Sequence, residues 1–305
     1  MGSWQVDSCC GRLDRRAASV ARFLGRLVAV CVIVIAILGV AVSPDRTAAS
    51  AAVADDYFGV SAPNFFVMSQ KGQTGALDSY LTHIRETGVD WVRDAVPWPD
   101  AEPAAPIGGV HAYRWGAFDT QVTRYAQHDL TLQPVIRQTP AWAEEPAAVE
   151  AKCGRDGGLS ALTGVAAYGD FVGAYLRRYG RQGSFWVDHP ELRYKPVTRV
   201  ELWNEPNWRP FYCPAPDPER YAEMVAAGAD AAHAVDPDAV VSIGGLVTLK
   251  STTYADGRPT GIELSEFLRR MTAAEPTLPD RVDAVAVHLY DQNPDGDRRR
   301  RGPPV

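Results

Sequence analysis

Lys195-Pro196-Val197-Thr198-Arg199-Val200-Glu201-Leu202-Trp203-Asn204-Glu205-Pro206-Asn207 is the stretch on which the fold of this chain turns. The β-branched residues of its first half predict a buried strand. Pro206, which has no N–H to give to a ladder, closes it. An amide and a carboxyl, Asn204 and Glu205, then fall side by side at the carboxyl end of a strand, within reach of a small molecule. Glu205 is therefore a candidate general acid, flanked by Trp203 and Trp208. The competing reading is an ordinary polar strand end.

Short apolar runs and amphipathic segments alternate on both sides of this strand. Strands are predicted over Phe58–Ser61, Val89–Val96, Leu132–Arg137, Val197–Trp203, Ala239–Ile243 and Val282–Leu289. Helices are predicted over Ala76–Glu86, Trp115–His128, Val165–Tyr179, Pro218–Val235 and Glu263–Ala274. Tyr168, Phe171, Val172 and Tyr175 recur at helical spacing. Asp217-Pro218-Glu219 supplies an N-cap, a proline in the first turn and an early acid. The strands are apolar along nearly their whole length, as in a parallel sheet covered on both faces.

Six strands alternating with five helices fit two α/β architectures. One is a doubly wound open sheet. The other is an incomplete (β/α)8 barrel of the TIM type. Ile243-Gly244-Gly245-Leu246 holds only one pair of glycines, so the phosphate-cradling patterns of nucleotide folds are absent. Polar residues at the carboxyl ends of several different strands favour the barrel, whose site is assembled from many β-α loops.

The 305 residues are 46% hydrophobic and 22% charged, a globular composition. A net charge of −6 argues against a nucleic-acid partner. Residues 1–54 stand apart as a basic leader followed by a 17-residue uncharged run, Leu27 to Ser43. This is the pattern of an apolar export helix. Ala52-Val53-Ala54 fits a cleavage site, and the alternative is retention as an N-terminal membrane anchor. The expected location is secreted or extracytoplasmic. Residues 55–290 carry the barrel-type domain. Residues 291–305, Arg- and Pro-rich, show no helix or strand pattern and are expected to be disordered. Four consecutive arginines there suit either a basic partner-binding tail or the result of a premature stop or shifted frame.

Cys153 and Cys213 are the two cysteines outside the leader, an even number that suits a disulfide in an oxidising compartment. The six histidines are scattered with no metal-ligand spacing, so neither a metal nor a cofactor is expected.

Glycoside hydrolysis commonly needs two carboxyl groups flanking the scissile bond. Glu201 and Glu205 share a face if the strand stays extended, but they would then stand ~13 Å apart, too far for either stereochemical course. Asp94 follows Arg93 and should point the opposite way. Asp291, just past the sixth strand, is a weak second acid.

The run Glu201–Asn207, followed by Trp208, Phe211 and Tyr212, resembles the fourth-strand signature of clan A glycoside hydrolases, nearest to families 39 and 5. The resemblance covers about residues 57–290. It implies a retaining glycosidase acting on O-glycosidic bonds of a carbohydrate, with Glu205 as acid/base and Asn204 on the sugar 2-hydroxyl. Arg93 resembles the second-strand arginine that supports the nucleophile, Trp142 a third-strand substrate-side aromatic, and His288 and Tyr290 the sixth-strand His-x-Tyr pair. The clan's nucleophile is a glutamate on a seventh strand, for which this sequence offers no counterpart. Read without the resemblance, Arg93 could simply neutralise Asp94 or another acid at the core rim, and Trp98 and Trp142 could be packing residues. The alternative function is a non-catalytic carbohydrate-binding protein of the cell surface, with Trp98, Trp142 and Trp208 lining its cleft.

Overall fold

The computed structural model describes residues 58–62, 65–151, 153 and 163–290. The expected leader over residues 1–54 and tail over residues 291–305 lie outside them. No helix among the described residues is long and apolar enough to cross a membrane.

Eight strands are formed among the described residues: β1 Gly59–Ser61, β2 Trp91–Pro97, β3 Thr131–Arg137, β4 Arg199–Leu202, β5 Val240–Val247, β6 Thr252–Thr253, β7 Pro259–Gly261 and β8 Ala284–His288. The helices, in chain order, are α1 Phe65–Gln70, α2 Thr74–Glu86, α3 Trp98–Ala101, α4 Gly116–Gln127, α5 Pro146–Glu150, α6 Val165–Tyr179, α7 Ser184–Asp188, α8 Pro218–Val235 and α9 Leu264–Ala274. One sheet runs β1-β2-β3-β4-β5-β8, and β6 and β7 form a separate hairpin. Every pair in the larger sheet is parallel. Its strands lie in chain order, with no reversal of the kind that defines a doubly wound sheet. The architecture is thus a six-stranded curled parallel half-barrel, fitting an incomplete (β/α)8 barrel.

The helical layer forms because its apolar residues share one face. On α6, Tyr168, Phe171, Val172, Tyr175, Leu176 and Tyr179 are all buried. Fully burying side chains of this size contributes roughly 1.5–3 kcal/mol each before the entropy of ordering them is subtracted. The helix packs on α8, which Asp217 caps by accepting the Arg220 N–H at 2.9 Å. At Gly169 the two helices touch backbone to backbone, since a Cβ there would lie 2.8 Å from the Ala227 carbonyl oxygen.

The elements α1, α3, α5 and α7 have six residues or fewer. They are too short for a 3.6-residue period to show in the sequence. The β5 strand runs past the expected end at Ile243, through Gly244 and Gly245 to Val247. Glycine pairs read as strand breakers, but here they allow close approach. A Cβ on Gly244 would stand 2.4 Å from the Trp203 carbonyl oxygen, and one on Gly245 2.2 Å from the His288 ring.

Side chains alternate across the strands. On β2 and β3, Val92 pairs with Leu132 and Val96 with Ile136, and all four pack under the helices. The intervening Trp91, Arg93, Ala95, Gln133, Val135 and Arg137 line the concave face.

Candidate active site

The concave face encloses a cavity of about 560 Å³ whose wall includes Arg93, Glu201, Asn204, Glu205, His288 and Tyr290. At its floor Arg93 grips Glu201 with two parallel bonds, Nε to Oε2 at 2.7 Å and Nη2 to Oε1 at 2.6 Å. The Gly245 N–H also donates to Glu201 Oε1, at 2.8 Å. Burial alone would lower the Arg93 pKa, but its bonds to Glu201 and the nearby charge of Glu205 leave it raised overall. Arg93 Nη2 reaches Asn204 Oδ1 as well, at 2.8 Å. It is therefore Glu201, not Asp94, that Arg93 neutralises. Asp94 points into the helical layer.

The end of β4 is bent rather than extended. Regular pairing stops at Leu202, and Trp203 and Glu205 have φ of 75° and 51°, in the left-handed region that non-glycine residues rarely enter. Surrounding bonds hold this backbone. The Trp203 N–H donates to Ile136 O, the Glu205 N–H to Gly245 O, and the Trp203 indole N–H to Phe211 O. Glu201 and Glu205 border the same cavity. Asn207 has a different task from Asn204. Its side chain donates to Val247 O and Ile262 O and accepts from the Val247 N–H, tying the loop to the end of β5.

Glu205 is 3% exposed. Its Oε1 lies 2.6 Å from His288 Nδ1 and accepts from the Tyr290 hydroxyl at 3.0 Å. Burial and the Glu205 carboxyl together raise the Tyr290 pKa. Among the described residues no protein group bonds to Glu205 Oε2.

Five of the six residues anticipated for the site thus meet in one cavity: Arg93, Asn204, Glu205, His288 and Tyr290. Trp142 does not join them. Its indole N–H donates to Glu102 O at 3.0 Å and its ring packs edge-on against Trp98, 5.5 Å between centroids, so packing fixes it away from the cavity. Trp98 is fully buried. A cleft walled by Trp98, Trp142 and Trp208 is therefore not formed. Of the aromatic residues in the loop after β4, Phe211 lies on the cavity wall, with the ring of the partly exposed Trp208 5.6 Å from it.

Sequence reasoning passed over Ser61, Trp91, Gln133 and Arg137, which also line the cavity. The usable signal was polarity inside strands that are otherwise apolar: Gln133 and Arg137 share the inward period of β3. Asp291 lies outside the described residues. Cys153 and Cys213 are disulfide-bonded, with Cα atoms 5.6 Å apart. This links the connection after β3 to the loop that carries Phe211. Among the described residues no group of three or more His, Cys, Asp or Glu is placed to hold a metal ion.

No protein-family profile and no curated protein matches the chain. Solved structures do. A monomeric β-xylosidase from Caulobacter crescentus CB15 superposes with a TM-score of 0.51 at 16% identity, covering 76% of this chain and 41% of that one. A GH39 β-xylosidase from Caulobacter crescentus gives 0.50 at 19% identity, covering 80% of this chain and 48% of that one. The chain spans less than half the length of either structure. At such identities the likeness is one of fold: the parallel half-barrel of this polypeptide is similar to part of the fold of these β-xylosidases.

Proposed function

We propose that the cavity is the acid/base half of a retaining glycoside hydrolase site. The observation that carries this is the state of Glu205. One oxygen is anchored by His288 and Tyr290, and the other has no protein partner among the described residues. An anchored carboxyl with one free oxygen can hand a proton to a leaving glycosidic oxygen and later take one from the attacking water. Asn204 supports the same reading. Its carbonyl accepts from Arg93, which fixes the amide and leaves its NH₂ group for a sugar hydroxyl.

Double displacement also needs a carboxylate nucleophile. Glu201 does not suit that role, because Arg93 and the Gly245 N–H occupy both its oxygens. The nucleophile in this proposal comes from outside the described residues. Export, with the leader cleaved or kept as an anchor, belongs to the same proposal.

The test supplies the missing nucleophile as azide. Azide attacks the anomeric carbon, the C–O bond to the aglycone breaks, and Glu205 protonates the departing oxygen. Phenyl glycosides, including the β-xyloside, are suitable because phenol, with a pKa of ~10, leaves poorly without a proton. Glycosyl azide should form with the wild-type chain and fall ~100-fold or more in Glu205→Gln, the scale of a lost general acid. Equal product from both proteins would refute the assignment, and robust hydrolysis without azide would refute the external nucleophile. A second reading, non-catalytic carbohydrate binding, is favoured by Glu205 being the one carboxyl among the described residues of the cavity wall that is not held by an arginine. Glycan binding with no azide-dependent product would select it.

A further inference from the structure

Arg137 stands at the carboxyl end of β3, where Gln138 turns the chain with φ of 69°. It borders the cavity of Glu205 and also a second one of about 590 Å³ over the ends of β2 and β3, so it forms a shared wall. Its Nε is buried and has no hydrogen-bond partner. Among the described residues no acceptor meets its other nitrogens either. This sets it apart from Arg93, whose charge Glu201 neutralises. An arginine side chain carries five donors in a fixed fork that matches planar oxyanions. Arg137 is half-buried: its Nε is sealed from water without an acceptor, which is costly, and its remaining donors are left for a group in the cavities it borders. Of the acids lining the cavity with it, Glu201 is held by Arg93, and Glu205 has one oxygen already committed to His288 and Tyr290. Asp94, on the other face of its strand, already accepts from Phe66 N, Ala95 N, Gln121 and Tyr125.

We propose that Arg137 is a specificity residue that holds an anionic substituent of a carbohydrate, a uronic acid carboxylate or a sulfate ester, seated beside Glu205. This rests on the cavity being a carbohydrate site and adds the class of sugar. The anion would complete the guanidinium fork that the protein leaves open, while neutral hydroxyls would meet Asn204 and Glu205.

The test measures dissociation constants of the full chain at low ionic strength for methyl β-glucuronide, methyl β-glucoside 6-sulfate, and neutral methyl β-glucoside and β-xyloside. At least one anionic glycoside should bind roughly tenfold or more tightly than the neutral ones, as a charge-assisted pair predicts. Whichever anion is preferred identifies the substituent. Arg137→Gln should bring its affinity down to the neutral value, and Arg137→Lys should keep part of the preference. Unliganded Arg137→Gln should melt no lower than wild type, since it loses an unpartnered cation. Neutral glycosides binding as tightly as the anionic ones would overturn the proposal and leave the carbohydrate site standing. So would an anionic preference that survives Arg137→Gln, or a large fall in melting temperature that marks Arg137 as structural. Failure of every glycoside to bind would overturn both.

Discussion

The Arg93–Glu201 pair decides what the floor of the cavity can do. The Glu201 side chain is 1% exposed and that of Arg93 14%, so neither charge has much access to water. Breaking a buried pair by removing one partner leaves an uncompensated charge and typically costs ~3–5 kcal/mol. Arg93→Met should therefore destabilise the chain by about that much, read by urea denaturation. Adding Glu201→Leu should restore most of the loss, because an apolar pair of similar volume removes both desolvation costs. A double variant no more stable than Arg93→Met would show that the pair serves the fold in some other way, for example through the Gly245 N–H that Glu201 also accepts. This pairing was only half legible in the sequence. Arg93 and Glu205 stood out because charged groups at apolar strand ends are rare. The partner of Arg93 was left open between Asp94 and another acid at the core rim, and the left-handed turn at Trp203 and Glu205 has no glycine in the sequence to announce it.

Among the secondary-structure elements, Asp94 is the joint between the sheet and its helices. From β2 it accepts the Phe66 N–H at the start of α1 and the Gln121 and Tyr125 side chains of α4, at 3.0, 2.8 and 3.0 Å. Burial pushes its carboxyl up to about 6, outweighing the four donors that favour the ionised form. A carboxyl whose folded pKa lies above its unfolded value binds its proton more tightly in the folded state. Its contribution is then greatest below the unfolded value of ~4 and declines as pH rises to about 6, by at most ~3 kcal/mol. Denaturation of wild type should show that decline between pH 4 and pH 6.5, and Asp94→Asn should lack it. Identical pH profiles for the two proteins would place the titration elsewhere. The long elements joined here were readable from periodicity alone: α6 and α8 begin and end where the pattern places them. The short α1 was not, because six residues bury only Phe66, and its position is set by the carboxylate it meets rather than by an apolar stripe.

Across the whole sheet, one row of paired residues tracks how well the half-barrel is covered. Ile136, Leu202, Ile243 and Val285 lie side by side in register on β3, β4, β5 and β8. The first three are 0%, 0% and 3% exposed beneath the helices, but Val285 is 43% exposed, and Val287 on the same face is 42% exposed. Among the described residues β8 also pairs on one side only, with β5. An edge strand with bare β-branched residues is a template for contact between chains. The polypeptide of these 305 residues should therefore gain apparent mass with concentration in light scattering. Val285→Lys combined with Val287→Lys should hold it closer to the monomer mass. The cost in stability should be within ~1 kcal/mol, because both side chains are already largely in water. Binding at the cavity should survive Val285→Lys made alone, since Val285 is not on the cavity wall, whereas Val287 borders it together with Ala286 and His288. A wild-type chain that stays monomeric at the same concentrations would mean that the β8 face is covered in solution.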